Sequence, residues 1–380
     1  MLAIQARRLF DGQEARDERV VLVDGSRVIA VAPAAPAGIP LLDLGEATLL
    51  PGLVDAHLHL ALDGGADPIG RLSTLDDNAL LDTMRAAART TVDAGVTTAR
   101  DLGDRGYLGV RLKAFRTGPR LLVSGPPITV PGGHCWFLGG EVSSVDGLRT
   151  AVRERAARGV DVVKVMASGG NLTPGSRSWL AQYTVNDLRV VVDEAHRYGL
   201  PVSAHAHAPA AIGAAVEAGC DSIEHCSFIT ADGVDADPRV IEMLVEAGTP
   251  VSYTCGSVPG AGPPLPAIAA RVDGLRAALR RLRAAGVTLA CSSDAGITPP
   301  KPHGLLPYSA ASFVETGFPP IEALRAVTSV PARVCGLGSV VGRIAPGYAA
   351  DLLAVAGDPL RDIAALRAVT AVFQAGRRVR

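Results

Sequence analysis

Apolar positions along the chain follow two different patterns. Over the first fifty residues, short alternating runs separated by turns, "LAIQARRLF", "DG", "ERVVLVDGSRVIAVAP" and "ATLLPG", carry no helical period and predict short strands. From Pro51 onward, short apolar runs alternate with Ala/Arg-rich stretches of helical period, which predicts βα units on a parallel sheet. The strand candidates are "GLVDAHLHL", "VTTARDLG", "RLLVSGPPIT", "VDVVKVMASGG", "PVSAHAHA", "DSIEHCSF", "TPVSYTCGS" and "VTLACSSDAG". Helical candidates between them include "NALLDTMRAAARTTVDAG", "VDGLRTAVRERAARG", "VNDLRVVVDEAHRYG" and "PRVIEMLVEAG", several closed by glycine after the last turn. Each is long enough for a right-handed crossover.

After the eighth strand candidate, "GLLPYSAASFVETG" and "PPIEALRAVTS" read as helices, and "GRIAPGYAADLLAVAGDPL" with "VTAVFQAGRRVR" returns to short strands and turns. The simplest assembly is an α/β fold: a (β/α)8 TIM barrel over residues 51–337, beside a small β-sandwich domain built from residues 1–50 and 338–380. No repeat of fixed period exists beyond the βα alternation, and "APAAPAGIP" is a loop.

Composition narrows the class. Hydrophobic residues make up 48% of the 380-residue chain and aromatics only 4%, so Ala, Val and Leu must fill the interior. A net charge of -1, from 37 basic and 38 acidic residues interspersed, offers no track for a phosphate backbone and argues against a nucleic-acid partner. Cys135, Cys220, Cys226, Cys255, Cys291 and Cys335 are scattered without a CxxC pair, as expected of buried thiols in a reducing compartment. "MLAIQARRLFDG" lacks the apolar segment of a signal peptide, and no stretch of about 18 apolar residues could span a bilayer. The expectation is a soluble cytoplasmic protein without a membrane partner; homo-oligomerisation stays open.

Histidines mark the candidate chemistry. On a strand, residues two apart share a face, so His57 and His59 in "VDAHLHL" point together, toward the catalytic mouth if they end a barrel strand. Two such histidines can be metal ligands or satisfied core residues. Lys164, His205, His207, His225 and Asp294 stand at the same end of four more strands, which favours a shared site. Taken singly, Asp294 also suits a turn or helix cap, His225 a core position, and Lys164 a side chain reaching to water.

The matches "LLPGLVDAHLHL", "VVKVMASGG", "VSAHAHA", "SIEHCS" and "SSDAG", with the tail "GRIAPGYAADLLAVAGDPL", resemble the amidohydrolase superfamily over nearly the whole chain. "ASGG" and the "GGH" of "TVPGGHCW" resemble its dipeptidase-, prolidase- and N-acyl-amino-acid-hydrolase-like branch. The resemblance implies that His57, His59 and Asp294 hold one divalent metal and His205 with His225 a second. Lys164 would bridge them as a carbamate formed with carbon dioxide. Nitrogen and oxygen ligands without redox chemistry suit zinc. The implied reaction is hydrolysis of an amide bond in a small dipeptide or N-acyl amino acid, by a metal-bridging hydroxide whose proton Asp294 takes and passes to the leaving amine. His207, one step above His205, would miss the metals and overhang the substrate. His134 and His207 would both donate to the oxyanion.

Substrate contacts are expected from Tyr183 in the loop after strand four, Tyr253 after strand seven and His303 in "TPPKPHG" after strand eight. Arg177 could bind a carboxylate, though a solvated loop charge is the simpler reading; Trp179 shares that loop. Cys135 is read as pocket lining and His196 as a helix-end residue without function. The glycine-rich stretches lack the terminal Lys-Ser/Thr of a P-loop. The alternative is a cyclic-amide hydrolase or a deaminase, imidazolonepropionase-like enzymes included; Lys164 discriminates, because the mononuclear branches do not use a bridging carbamate. A non-catalytic assembly protein is disfavoured because all six ligand positions are filled.

Overall fold

The computed structural model describes residues 1–115 and 118–380. Eight strands fall within the eight predicted stretches: β1 (Leu53–Leu58), β2 (Val96–Asp101), β3 (Arg120–Val123), β4 (Val163–Met166), β5 (Val202–Ala206), β6 (Ser222–His225), β7 (Val251–Thr254) and β8 (Leu289–Ser292). They form two parallel sheets, ordered β3-β2-β1 and β4-β5-β6-β7-β8. Backbone bonds cross both gaps between the sheets. The Asp294 N–H donates to the His57 carbonyl at 2.8 Å and that of His59 to Ala295 at 3.0 Å, while Ile128 donates to Lys164 at 2.8 Å.

Helices cross between the strands as their patterns predict. Asp77–Asp93 is capped by Asp76, Val145–Arg158 by Ser144, and Val185–Arg197 by Thr184 and Asp187 in a reciprocal capping box. Gly159 and Gly248 end their helices in the left-handed conformation that glycine adopts without steric cost. Small aliphatic side chains from these helices and from the outer strand faces fill one large core, where Ala204, Ile212, Ile223 and Leu282 are fully buried. Among the described residues no helix is long and apolar enough to cross a membrane.

Both chain ends contribute to the remaining strands. One mixed sheet holds Leu2–Gln5, Val20–Asp24, Arg27–Ala32 and Leu41–Asp43; the other holds Arg8–Phe10, Ala15–Arg16, Thr48–Pro51, Leu352–Val355, Val369–Gln374 and Arg377–Arg378. Thr48–Pro51 pairs antiparallel with Leu352–Val355, so the two ends are joined immediately before the chain enters β1. A separate apolar cluster unites Ile4, Val21 and Val28 of one sheet with Leu49, Leu352 and Phe373 of the other. The first apolar run, predicted as one strand, divides after Gln5: Leu2–Gln5 and Arg8–Phe10 lie in different sheets. Its local pattern is the same on both sides of the break, so only the tertiary pairing reveals it.

Candidate active site

The carboxyl ends of the parallel strands bring together every histidine and acid for which a ligand role is expected. His57 and His59 leave β1 on one face, with their Nε2 atoms 3.3 Å apart. Asp294, just past β8, places Oδ1 3.5 Å from the first and 3.4 Å from the second. Three lone-pair-bearing atoms converge in this triangle, a donor set that a cation would satisfy. Burial, together with the nearby Lys164 charge, lowers the His57 pKa to about 4 and so favours the neutral ring that binds metals.

A second group forms opposite. His205 lies on β5 with His207 just past its end, and His225 ends β6; one ligand atom from each lies within 4.8 Å of the others. The rings of His205 and His225 stand 4.6 Å apart, and His207 stacks on His225 at 4.5 Å. His207 therefore lies closer to the other two than its place one step above His205 suggests. Its Nδ1 bonds to Ser227 Oγ at 2.6 Å and that of His225 to Thr254 Oγ1 at 2.7 Å, leaving each Nε2 for the site. His205 is turned over: its Nε2 donates to the Gly169 carbonyl at 3.0 Å, so Nδ1 carries the free lone pair.

Two candidate ligand positions depend on unusual backbone. His225 has φ 67° and Asp294 φ 56°, left-handed values costing about 1–3 kcal/mol each in residues other than glycine. Simple strand alternation would point the consecutive residues Glu224 and His225 to opposite faces, yet both reach His57. Glu224 does so through a hydrogen bond of 2.8 Å and His225 with its ring 4.8 Å away.

Lys164 lies on the inner face of β4, only 1% exposed, and its Nζ has no hydrogen-bond partner among the described residues. Burial, reinforced by the Arg100 charge, lowers its pKa to about 8 despite the opposing pull of Glu224. The sequence reading did not single out Glu224, which organises the floor of the site. Its Oε2 accepts from His57 Nδ1, and its Oε1 from Arg100 at 2.8 Å, Ser203 at 2.7 Å and Ser222 at 2.9 Å. Burial alone would raise the Glu224 pKa, but Arg100 and His57 outweigh it and keep the group ionised. Asp294 behaves alike: the His59 hydrogen bond and the His57 and Lys301 charges overcome its burial and hold it below the ordinary carboxylate range.

Lys164, Asp294 and the five strand-end histidines line a cavity of about 350 Å³. His134 lines it from the loop after β3, with its ring 4.6 Å from that of His205 and its Nδ1 bonded to Thr173 Oγ1 at 2.9 Å. Burial is the main cause lowering its pKa to about 3. Gly170 makes this approach fit: a Cβ there would lie 2.3 Å from His134 Nε2. This is a requirement of the "ASGG" stretch that the sequence alone conceals. Cys135 also lines the cavity, and burial raises its pKa to about 12, so its thiol stays protonated.

The expected substrate contacts separate. Tyr253 lines the cavity, although its hydroxyl donates away from it, to the Leu275 carbonyl at 3.0 Å. Tyr183 does not line it; its hydroxyl is directed to the Val142 carbonyl at 3.4 Å. His303 bonds through Nε2 to the Leu62 carbonyl at 2.8 Å and anchors the loop after β1. Arg177 and Trp179 are exposed, outside the lining. His196 pairs with Asp221 at a helix end, and Asp221 also accepts from the Val202 amide where β5 begins, not where the strands end.

Comparison with known proteins agrees with this arrangement. The model of the amidohydrolase family matches residues 48–379. Ochratoxinase from Aspergillus niger is 30% identical over 97% of this chain and 84% of its own length. Imidazolonepropionase from Deinococcus deserti is 28% identical over 98% of this chain and 93% of its own. The crystal structure of a Xaa-Pro dipeptidase with methionine bound in its active site is similar with a TM-score of 0.87 and 26% identity, over 99% of either chain. The His57/His59/Asp294 and His205/His207/His225 groups could each hold a divalent metal, and the chain belongs to the amidohydrolase family, as a hydrolase acting on carbon-nitrogen bonds.

Proposed function

We propose that this chain is a binuclear zinc amidohydrolase that cleaves the amide bond of a small peptide-like substrate, such as a dipeptide or an N-acyl amino acid. One observation carries the reading: the Lys164 amine is buried, unpartnered among the described residues and eased toward neutrality at the foot of two histidine groups. An ammonium there would repel cations. A neutral amine instead adds to carbon dioxide, forming an N–C bond and releasing one proton, and the resulting carbamate offers anionic oxygens to both sides.

His57, His59 and Asp294 would hold one ion, His205 and His225 the other, with carbamylated Lys164 between them. Zinc bound there supplies Lewis acidity for the scissile carbonyl and makes water nucleophilic near neutral pH. Asp294, kept ionised by its neighbours, accepts the water's proton and returns it to the leaving nitrogen as the C–N bond breaks. His134 and His207, each with Nδ1 tied to a hydroxyl, present Nε2 to the carbonyl oxygen as charge develops on it. The bonded seams between the parallel sheets support a closed eight-stranded barrel at residues 51–337, and the separate apolar cluster supports a small β-sandwich domain from 1–50 and 338–380.

A second reading, a cyclic-amide hydrolase or deaminase, is favoured by the similarity to imidazolonepropionase. Lys164 weighs against it, because a single-metal site needs no bridging carbamate. A mass-spectrometric scan of zinc-loaded protein against dipeptides, N-acyl amino acids, lactams and amino-heterocycles separates the two. Consumption of linear amides supports the first; ring opening or ammonia release alone replaces it with the second.

A further inference from the structure

The cavity wall carries three cationic side chains: Lys164, Arg276 and Lys301. Lys164 is the buried amine at the floor. Arg276 is neutralised by Glu315, 3.6 Å away. Lys301 makes no ion pair among the described residues; its Nζ donates one bond, at 2.8 Å, to the Ser293 carbonyl beside Asp294. Two of its three N–H donors are therefore left for another acceptor.

Its position is fixed from below. Lys301 sits between Pro300 and Pro302, whose rings restrict the backbone on either side. Its own amide donates to Thr298 and its carbonyl accepts from Gly296, both at 2.8 Å. Gly296, at φ 101°, lets this loop close on β1: a Cβ there would stand 2.4 Å from the His59 carbonyl oxygen. The ammonium group is thus held at the edge of the candidate metal site. Its charge contributes to the low pKa of Asp294. Asp294 and Glu315 are the acids on the wall, the first turned to His57 and His59 and the second to Arg276.

We infer that Lys301 binds the carboxylate of the substrate's amino-acid portion, making it a specificity-determining residue for acyl amino acids with a free carboxylate. The inference deepens the proposed function and rests on it. A fixed cation with spare donors beside an otherwise balanced wall selects an anion, and carboxylates make strong charge-assisted bonds to ammonium groups. Apolar walls from Leu265, Ile268, Leu275 and Ile297 then surround the remainder of the substrate, favouring a hydrophobic side chain.

N-acetyl-L-phenylalanine and its methylamide, with L-phenylalanine and L-phenylalaninamide as binding probes, test this on the zinc-loaded full chain. Wild type is expected to favour each carboxylate form by about 10-fold or more in KM and in calorimetric Kd. Lys301→Met should erase both preferences, read as the ratio between the carboxylate and amide forms, and Lys301→Arg should restore part of them. An undiminished carboxylate preference in Lys301→Met, or equal use of both forms by wild type, overturns the assignment while leaving amide hydrolysis intact. Failure of wild type to cleave either form overturns the proposed function and this assignment with it.

Discussion

His57 and Glu224 meet edge to edge beneath the candidate metal site: the imidazole Nδ1 donates to the carboxylate at 2.8 Å, and both side chains are essentially inaccessible to water. The bond makes Nε2 the acceptor nitrogen and aims it at His59 and Asp294. Arg100, 2.8 Å from the other carboxylate oxygen, keeps Glu224 charged. A candidate ligand on β1 is therefore oriented by β6 and β2.

Glu224→Gln should weaken zinc binding about 10–100-fold, the usual cost of losing such an orienting partner. It should also destabilise the fold by about 3–5 kcal/mol, because buried Arg100 would face no anion. Zinc titration and chemical denaturation measure the two effects. Pairing the substitution with Arg100→Met should recover stability without recovering zinc affinity.

Lys164→Met should fold, since it replaces a buried stem with one of similar length. It should lose one zinc equivalent together with turnover. Labelled bicarbonate should give a carbamate resonance in wild type that is missing in the variant. Full zinc content and activity without Lys164 would end the carbamate account.

His134→Ala and His207→Ala should each lower kcat about 10²–10³-fold, the range seen when one oxyanion donor is removed. Zinc content should not change. For His207 this readout is decisive, because its ring stacks on His225: loss of zinc would make it a ligand instead of an oxyanion donor.

Buried Asp104, next to the Gly103 that packs against the His59 ring, predicts a pH effect on folding stability. Burial raises its pKa to about 7 against opposing backbone hydrogen bonds, and one of its oxygens has no partner among the described residues. The folded state thus binds the proton more tightly than the unfolded chain. This stabilising contribution is full below the unfolded pKa, near 4, and is lost as pH rises through about 7. Metal-free Asp104→Asn should match wild type near pH 4 and exceed its stability by up to about 4 kcal/mol above pH 7. Denaturation midpoints across that range check it; parallel curves for the two proteins would refute it.

The periodic parts of the fold were legible because each pattern reports a local requirement. Apolar runs marked the eight strands, while caps and glycines marked the helix ends. The "HLH" spacing placed His57 and His59 together because strand alternation guarantees it. What escaped the sequence depends on distant partners. Glu224 looked like the neighbour of a histidine; its role follows only when β1 and β2 bring His57 and Arg100 against it. The left-handed turns at His225 and Asp294 break alternation with no glycine to announce them. Gly170 became meaningful once the loop carrying His134 lay over it. Tyr183 sat in a loop suited to substrate contact, but its hydroxyl found a backbone carbonyl instead.

The central claim is a pair of metal ions on six side chains, one of them a modified lysine. Its most direct test is titration of metal-free protein with zinc in the presence of bicarbonate, following bound metal and linear-amide hydrolysis together. The account predicts two equivalents bound and full turnover only with the second, with bicarbonate required. Full activity at one equivalent, independent of bicarbonate, would contradict it.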